Sequence, residues 1–166
     1  MKHKRVWITL VALALLIVAV ALPLAAHEDR EAGDGKYEIV LGWRVEPAYT
    51  TLFNGPEFTV KAHGEDGHDD SGGHDDTSAE HVEDGIAGLE ETLQIEVSYG
   101  GQSKLLRLRL VPNSPGHYTA DLIPTQPGDY SFRVFGTIEG VEINETFSSS
   151  EGEFSTVEPI SDIQFP

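Results

Sequence analysis

Between His63 and His81 the chain reads HGEDGHDDSGGHDDTSAEH, which holds four histidines (His63, His68, His74, His81) and seven carboxylates, with no lysine or arginine. Imidazole nitrogens and carboxylate oxygens are donors that suit Zn(II), Cu(II) and Ni(II). Successive histidines lie five, six and seven residues apart. That spacing is too loose for a preformed finger-type site, so a ligand set drawn from it would assemble around the ion. Calcium fits less well: the DGHDDSGG stretch lacks the glycine at loop position six and the terminal glutamate of an EF-hand. The competing reading is a solvated acidic linker in which histidine is incidental. Four histidines in nineteen residues favour metal capture over it.

Two more histidines bear on the same chemistry. Lys2, Lys4 and Arg5 precede an uncharged apolar run from Val6 to Ala26, and Leu24 and Ala26 fit the −3 and −1 positions of a signal cleavage site. Cleavage there would make His27 the first residue, and its α-amine and ring Nδ1 could chelate one Cu(II) beside Glu28 and Asp29. The run has 21 residues, about 30 Å as a helix at 1.5 Å per residue, so an uncleaved signal anchor competes with cleavage. On either reading residues 1–26 are an export segment and residues 27–166 lie outside the cytoplasm, periplasmic or extracellular. His117 falls on the outward side of an alternating stretch with Thr119 and Asp121, where a lone histidine is ordinarily a surface residue.

Charge and composition narrow the partners. The chain carries 11 basic and 28 acidic residues, and without residues 1–26 the balance is 8 against 28, a net of −20. Nucleic acid and anionic membrane surfaces are poor partners for such a surface, whereas cations and basic proteins suit it. There is no cysteine, and Met1 is the only methionine. Packing alone must hold the fold, thiol catalysis is excluded, and residues 27–166 offer no soft sulfur ligand.

The elements that must position these residues read as strands. Side chains alternate in YEIVLGWRV (Tyr37, Ile39, Leu41, Trp43, Val45 on one face), EFTVKA (Phe58, Val60, Ala62), LQIEVSY (Leu93, Ile95, Val97, Tyr99) and KLLRLRL (Leu106, Leu108, Leu110). HYTADL and YSFRV continue the pattern, and VEINETF and EFSTV close it. Period two marks half-buried antiparallel strands, and no stretch after residue 26 has a helical period. Two copies of Pro-Gly-x-Tyr, Pro115–Tyr118 and Pro127–Tyr130, predict a turn followed by a tyrosine entering the core. The expected fold is therefore all-β: an antiparallel sandwich of seven or eight strands, immunoglobulin-like. Residues 64–85 interrupt it as a Gly, Asp, Ser and His insertion too polar to offset its ordering entropy, read as a disordered loop.

The histidine after the export segment, with GLEETLQIEV and PGHYTADLIPTQPGDYSFRV in the body, resembles the periplasmic copper-resistance and YtkA-like group of immunoglobulin-like domains. The resemblance implies Cu(II) held by an N-terminal histidine and a second histidine, which carries over to His27 and, as its speculative partner, His117. The methionine-rich Cu(I) site of some relatives has no counterpart, and the His/Asp stretch is additional to the family pattern. No Gly-x-Ser-x-Gly elbow, His-Glu-x-x-His, phosphate loop or cysteine nucleophile is present, so no enzyme activity is expected. The sequence-level expectation is an exported protein that captures or buffers Cu(II) or Zn(II) and passes it to a membrane metal transporter or envelope protein. Its rival is a non-catalytic envelope interaction module with the acidic loop as a spacer.

Overall fold

A computed structural model describes residues 28–63, 85–152 and 154–166. One sheet has five antiparallel strands in the order β1 (Glu28–Ala32), β2 (Tyr37–Trp43), β4 (Pro56–Ala62), β8 (His117–Thr119) and β7 (Arg109–Leu110). The second has four, in the order β10 (Val141–Ser148), β9 (Ser131–Ile138), β5 (Leu93–Tyr99) and β6 (Gln102–Leu106). A short parallel pair, β3 (Ala48–Tyr49) with β11 (Val157–Glu158), completes the strands. Among the described residues the only helical turns are three 3-10 turns of three residues each. No described helix is long and apolar enough to cross a membrane.

Alternation explains how the sheets meet. Tyr37, Ile39 and Leu41 of β2 are buried while Glu38 and Val40 between them are half-exposed, and β5 and β9 follow the same rule with Leu93, Ile95, Phe132 and Val134. The inner faces share one core. At its centre Trp43 of the first sheet packs edge-on to Phe132 of the second, with centroids 4.9 Å apart, and also meets Tyr130 and Phe154. Its indole N–H donates to the Ser155 carbonyl at 2.9 Å, so the ring is buried without an orphaned donor.

Three expected strands turn out differently: of EFSTV only Val157 joins a strand, β11. KLLRLRL is divided between β6 in one sheet and β7 in the other. Leu106, Leu108 and Leu110 keep facing the shared interior while the backbone changes partner from β5 to β8. Period two reports which face is buried and is blind to which strand lies alongside. Val45 lies beyond the end of β2 and is 56 % exposed, because the chain leaves the sheet after Trp43. The acidic segment EDREA, which carries no apolar alternation, forms β1 as an edge strand. There Arg30 donates to the Thr146 carbonyl at 2.7 Å and lies over the Phe147 ring, closing that side against β10.

Strand register gives the molecule two ends. At the base lie Ala32, Tyr37 and Ala62, aligned across β1, β2 and β4, together with His63 and Gly85. At the apex lie Trp43, Pro56 and the loop between them, with Leu122 paired to Asn54. The seven residues of β4 separate the ends by about 20 Å at about 3.4 Å per residue.

Candidate functional site

β4 carries the residues that frame the His/Asp stretch. Val60 donates its N–H to Gly116 and accepts from Ile86, while Lys61 bridges to Gly85. The described chain therefore leaves at His63 and returns at Gly85 beside the same strand. His63 is exposed, and its backbone N–H donates to the Lys36 carbonyl at 2.8 Å.

Tyr118 fastens the returning segment. Its phenol donates to the Ile86 carbonyl at 2.6 Å and accepts from the Leu89 N–H at 3.0 Å, with the ring fully buried and stacked on Phe58. Burial pushes the phenol above its ordinary pKa; the Leu89 N–H pulls it partly back, and Glu90 adds to the rise. Gly116 makes this approach feasible. A Cβ there would lie 2.5 Å from the Gly85 Cα and 2.7 Å from the Val60 oxygen, at a φ of +75°.

His117 follows directly on the outer face. Its Nε2 lies 3.0 Å from Oε1 of Glu57, and each side chain is about a quarter exposed (26 % and 27 %). The pair forms because β8 sets Thr119 opposite Glu57 and His117 opposite Thr59. An imidazole whose Nε2 faces the carboxylate leaves Nδ1 as the nitrogen that could ligate a metal. Four residues on, past the end of β8, Asp121 accepts from Arg109 at 2.8 Å and Arg44 at 3.1 Å. Those two guanidiniums, Arg109 first, hold its carboxyl below the usual carboxylate range.

His27, His68, His74 and His81 lie outside the described residues. The first described residue, Glu28, pairs with Leu41 on β1, and β1 is separated from β8 by β2 and β4. At about 4.8 Å between strands that places β1 and β8 about 14 Å apart. Among the described residues no three histidine or carboxylate side chains converge as a metal-ligand group. Sequence reasoning found His117 but missed Glu57 as its partner and the Arg44–Asp121–Arg109 cluster. The outward phase of Glu57 in EFTVKA was the available signal; its meeting with His117 depends on strand register. In comparison with known proteins, no family model, curated protein or solved structure matches the chain.

Proposed function

We propose that this is an exported, non-catalytic protein that captures or buffers Cu(II) or Zn(II) outside the cytoplasm, built on an immunoglobulin-like sandwich related to the periplasmic copper-resistance and YtkA-like domains. The fold reading is supported by two antiparallel sheets sharing one core, by the buried Trp43, and by the Tyr130 phenol donating back to the Gln126 carbonyl at 3.1 Å. That last contact has the form of the tyrosine corner of such sandwiches.

The observation that carries the metal reading is the donor density of residues 63–81, four histidines among seven carboxylates. His63 and Gly85, which bound the 64–84 stretch, lie beside one strand. The stretch acts as the collector, concentrating cations by its charge. His117 with Glu57 adds an ordered imidazole–carboxylate pair one residue from the Gly116–Gly85 contact. His27 supplies a separate Cu(II) chelate if cleavage frees its amine. A membrane metal transporter or another envelope protein receives the ion.

Calorimetric titration with Zn(II) and Cu(II) tests this. Replacing His63, His68, His74 and His81 with asparagine should remove most of the bound metal while the far-ultraviolet β signal stays unchanged. Unchanged stoichiometry would reject the collector and return the chain to the interaction-module reading.

A further inference from the structure

The apex carries an apolar surface that metal capture does not use. Val45, Leu52 and Phe53 of the loop after β2 are 56 %, 44 % and 62 % exposed, and Ile123 beside them is 51 % exposed. Ile163 and Phe165, 53 % and 97 % exposed, follow a C-terminal turn that is tied to the same loop through Ile160 and Thr50. Of the seven large apolar side chains exposed among the described residues, only Leu105 lies elsewhere.

This surface is built. The Asn54 side chain is buried, accepts from the Val45 N–H at 3.1 Å and donates to the Val45 carbonyl at 2.8 Å, cross-bracing the loop. Thr51 donates to the Pro124 carbonyl at 2.7 Å, which fixes Ile123 beside Phe53's loop. The Arg44 guanidinium lies 4.7 Å above the Phe53 ring and donates to the Asn54 carbonyl. Aliphatic and aromatic side chains presented together on one loop, with an arginine at the rim, suit insertion at a bilayer interface.

The direction of the chain says what covers it. β1 begins at Glu28 beside Leu41, towards the apex, and the apolar run Val6–Ala26 precedes it by one residue. His63 and Gly85, at the roots of the stretch that holds nine carboxylates between residues 65 and 84, lie at the base. We propose that the apex loop, through Val45, Leu52, Phe53 and Ile123, seats in the lipid headgroup region of the membrane that holds the export segment, so that His63 and Gly85 at the base face away from it. The inference rests on residues 6–26 being a retained anchor. The tether makes the contact intramolecular, so a patch too small to bind membranes alone suffices.

The absence of cysteine permits a direct test. Phe53→Cys and His63→Cys are made separately in the full chain, labelled with an environment-sensitive fluorophore and reconstituted in phosphatidylcholine vesicles. The Phe53 label should shift to the blue, be quenched by doxyl lipid and lose its quenching by iodide, while the His63 label stays aqueous. A chain that floats with the vesicles but leaves the Phe53 label open to iodide overturns the seating and spares the anchor. A chain that does not float overturns both. A Phe53 label shielded from lipid and iodide alike, with a dimeric mass in detergent, overturns it in favour of a second copy.

Discussion

The two Pro-Gly-x-Tyr copies share a turn and a buried ring but join different things. Tyr130 donates to Gln126, four residues upstream, and the contact closes a local corner. Tyr118 reaches Ile86 and Leu89, about thirty residues upstream, and holds the segment that returns from the His/Asp stretch. The glycines differ likewise: Gly116 is pressed against the Gly85 and Val60 backbones, whereas a Cβ at Gly128 would meet only the Tyr99 ring at 3.8 Å. The Pro127–Tyr130 copy serves its turn and the core, with Gly128 bridged to Val157 and Tyr130 packed on Trp43. The other also anchors the candidate site's root.

That contrast can be broken at four levels. Gly116→Ala should have the largest effect, about 4 kcal/mol, since the left-handed φ and a backbone overlap act together. Gly128→Ala keeps the backbone strain at φ +117° without the overlap, so about 1–2 kcal/mol is expected. Urea midpoints of the two variants measure the difference; equal losses would show that the Gly85 approach is not what constrains Gly116.

Tyr118→Phe leaves a donor and an acceptor without their partner and should lose about 2 kcal/mol, with faster hydrogen exchange at Leu89. Tyr130→Phe frees one carbonyl on an exposed residue and should lose about 1 kcal/mol, with exchange at Leu89 unchanged.

The third level is alkaline pH. Both phenols are held above their ordinary value, chiefly by burial, so the folded protein keeps protons that the unfolded chain releases near pH 10. Their contribution is present below about pH 10 and is lost as pH rises through the folded values. Tyr118→Phe and Tyr130→Phe should each flatten part of the alkaline fall in melting temperature.

The smallest effect is expected at Asp121. Its carboxyl is held down by Arg109 and Arg44, so its contribution is present above the ordinary carboxyl range and is lost as pH falls through the lowered value. Asp121→Asn should soften the acid side of the stability profile without moving the alkaline side. A half-exposed carboxylate in two ion pairs makes only a modest contribution.

Much of the strand layout was legible in the sequence because burial on one sheet face imposes period two. Tyr37, Ile39, Leu41, Phe58, Val60, Ile95 and Phe132 are buried where the alternation put them, and Tyr118 and Tyr130 enter the core after their turns. The acidic β1 escaped notice because an edge strand can be held by its backbone ladder and one arginine, with little apolar pattern. β3 and β11, two residues each, are too short to show a period.

The sequence by itself determined the donor chemistry of residues 63–81, the absence of thiols throughout and of thioethers after Met1, the acidity and the inward phase of most strands, since each follows from residue type or spacing along the chain. Only the tertiary structure decided that KLLRLRL serves two sheets, that Glu57 meets His117, that His63 and Gly85 flank one strand, and that the exposed apolar loop lies at the end where β1 begins. Those facts depend on register and sheet order, which are set by packing between residues far apart in the chain, and period two carries no record of the partner.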